Sequence, residues 1–301
     1  MIRIAHLSDV HLGGMPEPRP AQLMSKRILG YVNWRRSRAR LMTAGHLEAV
    51  LADMGAQAPD HIVVTGDLTN IALPGEFENA GRWLQDLGDG RTVTAIPGNH
   101  DAYVPRADRL YCELWAPWMS DDRTPDAGTA RFPFLRTFGR VALIGVSTAV
   151  PTMPFMATGR IGRKQLADLK TLLQQTGNDG FFRIVLIHHP PRLSDYRRFF
   201  KRLTDGPQFR NIIREAGAGL ILHGHDHTAA VTSVEGPVGP VPVVGVPSAS
   251  GPPAAGPKAG GFALHDIEPV EGDYALTVIE RGFDAAGAIV EKARRNFTLS
   301  G

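Results

Sequence analysis

Residues 219–227 read GLILHGHDH: four residues suited to a buried strand, then three histidines and an aspartate within five positions. The run 219–222 is short and aliphatic, as a strand covered on both faces requires. The polar run after it cannot all be core, because a buried imidazole or carboxylate without a partner is costly. The same arrangement recurs along the chain. Residues 2–7 are followed by S8-D9-V10-H11, residues 61–65 by G66-D67-L68-T69, residues 92–97 by G98-N99-H100-D101, and residues 183–187 by H188-H189. Residues 141–146 form one more run of this kind.

Helical periodicities lie between these runs. Residues 44–54 place Leu47, Val50, Leu51 and Met54 on one face, and residues 74–87 and 163–175 read similarly. Strands alternating with helices predict a largely parallel or mixed sheet covered by helices. The last third changes character. Residues 231–246 are rich in Gly, Pro and Val, residues 248–261 read as a loop, and residues 262–267 and 274–279 form two strand-like runs able to pair as a hairpin. Two packed sheets with helices outside absorb all these strands. A single domain over 1–301 is expected, with an insert at 15–43 and a C-terminal strand region at 262–301.

The chain of 301 residues is 43% hydrophobic, yet no run of 18 apolar residues offers a membrane span. Cys112 is the only cysteine, which excludes an internal disulfide framework and a cysteine-based zinc site and fits a reducing compartment. The first residues leave no room for the apolar core of a signal peptide, so a cytoplasmic protein is expected. Net charge is only +3, but the basic residues cluster at Lys26, Arg27, Arg35, Arg36, Arg38 and Arg40, then at Arg192, Arg197, Arg198, Lys201 and Arg202. Such clusters suit anionic partners or make solvated helix faces. No reader motif accompanies them, so no specific nucleic-acid partner is expected.

In open α/β sheets, ligands bind beyond the carboxyl ends of strands, so five polar clusters converge on one rim. Their inventory is Asp, His, Asp, Asn and three further His. Imidazole with carboxylate suits Zn, Mn, Fe, Ni or Co rather than Ca. Seven ligands are too many for one tetrahedral ion. They fit two divalent ions sharing a carboxylate, about 3.5–4 Å apart.

The ordered series D9-x-H11, G66-D67, G98-N99-H100-D101, H188 and G224-H225-x-H227 resembles the calcineurin-like metallophosphoesterase superfamily across roughly residues 1–267. The resemblance implies an α/β fold, a four-layer αββα sandwich of two mixed β-sheets with a dinuclear site at the rim. Position by position, it implies that Asp9, His11 and His227 hold the first metal and Asn99, His188 and His225 the second. Asp67 bridges them, and His100 sits beside the metals as the catalytic residue serving the phosphate or the leaving group. The implied cofactors are two divalent ions (Mn, Fe or Zn) and one bridging water or hydroxide. Two such ions carry +4, Asp9 and Asp67 return −2, and the remaining +2 suits a hydroxide and a singly charged diester. To donate a proton, His100 must be protonated or in the right tautomer.

The same resemblance covers many phosphoesterases, since specificity lives in inserts. In layout the chain is similar to the bacterial cyclic-nucleotide phosphodiesterases, which implies a small nucleotide-type phosphodiester. The insert at 15–43 keeps an alternative open. Met24, Ile28, Tyr31 and Val32 follow helical spacing, with Trp34 and arginines just beyond. That stripe either packs on the body or forms an apolar, basic lip for a lipid-bearing substrate or a membrane surface. A lip fits pyrophosphate cleavage of a lipid-linked nucleotide sugar of the UDP-diacylglucosamine type, on a protein peripheral to the inner membrane. Candidate substrate contacts are Tyr31, Trp34, Arg35 and His189. His189 also reads as a packing residue, His223 as structural, Asp226 as facing away, and Asp101 as a support for His100. His6, His46, His61 and His265 read as surface or packed residues. A non-catalytic binding scaffold is the remote alternative, and the complete ligand set speaks against it. Oligomeric state is not legible.

Overall fold

The aliphatic runs become strands because branched side chains pack well on a pleated surface buried on both faces. The computed structural model describes residues 1–38, 44–124, 128–192 and 196–300; Arg40 and the end of the insert, 39–43, lie outside the described residues. Its strands are β1 (Ile2–Leu7), β2 (His61–Val64), β3 (Val93–Ala95), β4 (Phe134–Phe138), β5 (Val141–Gly145), β6 (Phe182–Leu186), β7 (Leu220–His223), β8 (Ala230–Glu235), β9 (Pro240–Gly245), β10 (Gly261–Val270), β11 (Asp273–Phe283) and β12 (Ile289–Ser300). They form two six-stranded sheets, ordered β12-β11-β10-β1-β2-β3 and β4-β5-β6-β7-β9-β8. Strands β1, β2 and β3 run parallel in the first sheet, as do β5, β6, β7 and β9 in the second. The other pairings are antiparallel, so both sheets are mixed.

Helices α1 (Arg27–Asn33), α2 (Ala44–Ala56), α3 (Pro74–Leu87), α4 (Ala107–Leu114), α5 (Arg163–Asn178) and α6 (Gly206–Ala216) complete the fold. Alternation along the second sheet explains its burial. Leu143, Ile184, Leu186, Leu220 and Leu222 share a core with the first sheet. Ile144, Val185, Ile187 and Ile221 pack instead with Leu169, Leu172 and Leu173 of α5 and Phe209 and Ile213 of α6. Val50 and Met54 of α2, and Phe77, Ala80 and Leu84 of α3, join the core of the first sheet. Helix, sheet, sheet and helix thus form the four expected layers. No helix among the described residues is long and apolar enough to cross a membrane.

Some elements fall outside the runs predicted from periodicity. Helices α4 and α6 are short, and β12 bears Glu291, Lys292, Arg294, Arg295 and Asn296 as a charged strand at the sheet's edge. The layer between the sheets is partly polar. His6, His61 and His265 are buried; the His6 and His265 rings lie 5.8 Å apart, and His61 stacks on Phe138 at 4.7 Å. Burial pushes His61 down to about 4 and His265 to about 3, so both are neutral.

Candidate metal centre

The polar clusters lie just beyond the carboxyl ends of β1, β2, β3, β6 and β7, where the two sheets meet. Sharp turns put them there. Asp9, His11, Asp67, His225 and His227 all have positive φ, from 42° to 69°, a left-handed conformation unfavourable for side chains with a Cβ. Glycines make the close approaches possible. A Cβ on Gly98 would lie 2.3 Å from Asp67 Oδ1, and one on Gly224 would lie 1.8 Å from Ser8 Oγ and 2.4 Å from Asp9 Oδ2.

Two overlapping groups result. Asp9, His11, Asp67 and His227 each offer one ligand atom within 4.8 Å of the others, and so do Asp67, His188 and His225. Asp67 belongs to both. His227 Nε2 lies 2.9 Å from Asp9 Oδ1, while His188 Nε2 and His11 Nε2 lie 3.3 Å and 3.9 Å from Asp67 Oδ2. Asn99 Oδ1 lies 3.2 Å from His188 Nε2. The fold therefore gathers all seven residues that the motifs single out.

Backbone carbonyls orient the rings. His11 Nδ1 donates to the Thr69 carbonyl at 3.1 Å, His188 Nδ1 to the Thr65 carbonyl at 2.7 Å, and His225 Nε2 to the Lys201 carbonyl at 3.0 Å. A carbonyl only accepts, so each contacted nitrogen carries the proton. In the neutral rings that a cation would bind, the lone pair then sits on Nε2 of His11 and His188 but on Nδ1 of His225. These lone pairs and two buried carboxylates suit divalent cations. The electrostatics agree. Burial opposes ionisation of Asp9 and Asp67, yet the surrounding imidazoles hold both well below the usual carboxylate range. Burial likewise opposes a charged His188, but Asp67 and then Asp9 raise it to about 10. The pocket demands positive charge.

His100 stands beside these groups. Its ring is edge-on to His11 at 4.8 Å and stacked with Tyr103 at 5.8 Å. Its Nδ1 donates to the Asn70 carbonyl at 2.6 Å, and its backbone N–H to Asp67 Oδ1 at 2.7 Å. Asp101 does not serve as the expected support for the His100 ring. Its buried carboxylate accepts the N–H groups of Asp67, Leu68, Thr69 and Gly98 and the Thr69 hydroxyl, tying two ligand-bearing turns together. Burial, then the charge of Asp67, pushes Asp101 up to about 7.

The remaining candidates stand outside the two ligand groups, although the His189 ring lies 4.3 Å from that of His225 and 5.2 Å from that of His188. His189 is buried, with Nε2 donating to the Ala157 carbonyl at 3.1 Å and Nδ1 accepting from the Thr148 hydroxyl at 2.7 Å, so both nitrogens are committed within the protein. His223 is buried and its Nδ1 donates to the Gly224 carbonyl at 3.0 Å. Tyr31, Trp34 and Arg35 gather with one another: Tyr31 stacks on Trp34 at 6.3 Å and Arg35 lies 5.9 Å over Tyr31.

The insert reaches the His100 region through other residues. Lys26 Nζ donates to the Thr152 carbonyl at 2.9 Å and lies 4.3 Å over the Tyr103 ring. Arg27 donates to the carbonyls of Ile71 and Ala72. A Cβ on Gly30 would lie 2.6 Å from Ile71 Cγ2 and 2.7 Å from Tyr103 Oη, so the helix backbone itself packs down. The apolar stripe points the other way, leaving Met24, Ile28 and Val32 exposed. Spacing reveals such a stripe but not which side of a helix meets the body.

Residues 2–229 match the sequence family described as calcineurin-like phosphoesterase. A Synechococcus protein named a probable cyclic nucleotide phosphodiesterase is 27% identical over 232 residues, covering 76% of this chain and 75% of its own. A dimetal phosphatase from Danio rerio shares the fold, with a TM-score of 0.57 over 99% of this chain and 98% of its own, at 14% identity.

Proposed function

The chain belongs to the calcineurin-like phosphoesterase family and is a metal-dependent phosphoesterase; on that premise we propose that it hydrolyses a small nucleotide-type phosphodiester of the cyclic-nucleotide kind. The sharing of Asp67 between two ligand groups carries the hydrolytic part of this reading. The likeness to the Synechococcus protein supports the substrate class.

In this reading Asp9, His11 and His227 hold one divalent cation, Asn99, His188 and His225 a second, and Asp67 serves both. The donor set suits Mn, Fe or Zn. When bound, the pair supplies Lewis acidity toward the phosphoryl group and a water acidic enough to attack near neutral pH. The protein's own part is orientation. Thr65, Thr69 and Lys201 fix the imidazoles through their carbonyls, and Asp101 fixes the turns beneath them. The Asn70 carbonyl holds the proton on His100 Nδ1, so that in this reading Nε2 is the nitrogen that serves the ester oxygens. A neutral Nε2 accepts; a protonated one donates to the departing oxygen.

The test is purified protein loaded with Mn and assayed against bis-p-nitrophenyl phosphate, cyclic AMP and UDP-diacylglucosamine. Turnover of the first two is expected. Confirmed metal binding with no turnover of any of the three would sink the phosphodiesterase reading. Turnover confined to UDP-diacylglucosamine would move the substrate to lipid-linked pyrophosphates.

A further inference from the structure

Exposed apolar side chains occur on three segments, far apart in sequence, that border the metal centre. The first is α1 with the turn before it, where Met24 is 86% exposed and Ile28, Leu29 and Val32 also face solvent. Lys26 of that segment lies over Tyr103, which stacks on His100. The second is the loop 148–160, with Met153 71% and Phe155 92% exposed. Its Ala157 carbonyl accepts from His189, and its Thr152 carbonyl accepts from Lys26. The third is 199–202, with Phe199 and Phe200 exposed. Its Lys201 carbonyl holds His225, and its Phe200 carbonyl accepts the Ala157 N–H at 2.9 Å. Each segment is thus tied to a histidine in or beside the site and to a neighbouring segment.

Two details give this display a purpose. Phe155 sits at φ 64°, a left-handed conformation that a bulky aromatic residue rarely adopts, and there its ring stands in solvent. Strain spent on exposing a phenyl ring stabilises nothing within the chain. The second detail is charge. Residues 20–36, 148–160 and 199–202 contain seven Lys and Arg and no Asp or Glu, although the whole chain has 30 acidic residues. Lys26, Arg27 and Arg202 donate to backbone carbonyls, whereas Arg35, Arg36 and Arg160 are exposed. The matching surface is therefore apolar and anionic. It is also extended, because Met24, Ile28, Phe155 and Phe200 stand outward and Met153 edges only an open hollow beside Pro151 and Met156. An amphiphilic layer bearing anionic headgroups meets all three conditions.

We propose that this rim docks the protein reversibly on an anionic lipid surface, with the mouth of the metal centre toward the membrane. Met24, Ile28, Met153, Phe155 and Phe200 enter the boundary between headgroups and acyl chains, while the exposed Arg35, Arg36 and Arg160 meet lipid phosphates. The docking does not depend on which phosphoester the centre hydrolyses.

Flotation of the Mn-loaded full chain with vesicles tests it, comparing phosphatidylglycerol with phosphatidylcholine. The protein is expected to float with phosphatidylglycerol vesicles, to stay behind with phosphatidylcholine, and to be released by added salt. The double variant Phe155→Ser/Phe200→Ser should lower partitioning about tenfold or more, since each lost aromatic removes an apolar anchor. Its turnover of a soluble diester should stay unchanged. Val238→Ser, at a 73% exposed site in the β8–β9 turn, should float as the parent does. Absence of the parent from both vesicle fractions would overturn the proposal, as would equal weakening by Val238→Ser or undiminished flotation of the double variant. A several-fold rise in KM for the soluble diester in the double variant, without vesicles, would assign the rim to substrate binding instead.

Discussion

The Nδ1 of His100 lies 2.6 Å from the carbonyl oxygen of Asn70, an acceptor that fixes the proton on that nitrogen and the ring in one orientation. The ring is thereby committed through Nε2, next to the ligand groups but outside both of them. His100→Ala should retain its full metal content while turnover falls by about 10²–10⁴, the usual worth of general acid help. The loss should be smaller for a p-nitrophenolate leaving group, which needs no proton, than for a ribose alkoxide. Metal analysis together with kcat on the two substrate types checks this. A metal-replete variant with near-parental kcat on both would remove His100 from the chemistry.

Asp101 is predicted to matter for stability first. Both its oxygens meet donors, so Asp101→Asn would turn an NH2 group toward two or more backbone N–H groups. The expected cost is about 2–4 kcal/mol, read as a lower midpoint in urea denaturation. Weaker metal binding should accompany it, because the affected turns carry Asp67 and Asn99.

At Gly224 the space itself is the constraint. A methyl group there would overlap Ser8 Oγ and crowd Asp9 Oδ2. Gly224→Ala should leave a folded protein with Asp9 displaced, showing at least about tenfold weaker binding at one of the two metals. Metal stoichiometry measured at limiting Mn decides between this outcome and a harmless local shift.

Acid should loosen the seam between the sheets. His265 is buried and its pKa is pushed by burial to about 3, below the ordinary 6.5, so the unfolded chain binds the proton more readily. Its contribution is complete above pH 6.5 and is lost as the pH falls toward about 3, at up to about 1.4 kcal/mol per unit. His61, brought to about 4 by burial, adds to the same slope. His265→Leu should therefore show a shallower fall of Tm than the parent between pH 6.5 and about 4. Parallel Tm curves would show that the titration lies elsewhere.

The side-chain inventory of the centre was legible because ligands on several strands must reappear as short polar groups after aliphatic runs. Asp9, Asp67, Asn99, His188 and His225 each announce themselves in this way. The partners that orient the rings were not legible. They are main-chain carbonyls of Thr65, Thr69, Asn70 and Lys201, and a carbonyl carries no residue identity into the sequence. The role of Asp101 was hidden for a related reason, since its partners are backbone N–H groups of other turns. Helix α1 shows a third limit. The stripe of Met24, Ile28 and Val32 is visible in the spacing, but its outward direction is set by Gly30, where the helix backbone closes on Ile71 and Tyr103. The lone glycine in that helix was the available clue.

Among the described residues, no strand is shared by the two sheets. Asp67 hangs from the end of β2 in one sheet, whereas His188 and His225 hang from β6 and β7 in the other. A cation gripped by all three would therefore be a rivet through two plates otherwise held by oily contact and hydrogen bonds. A slip of one plate by a single residue, about 3.3 Å, would tear the grip apart. Once loaded, the centre would thus also be the gauge that keeps the halves of the fold in register.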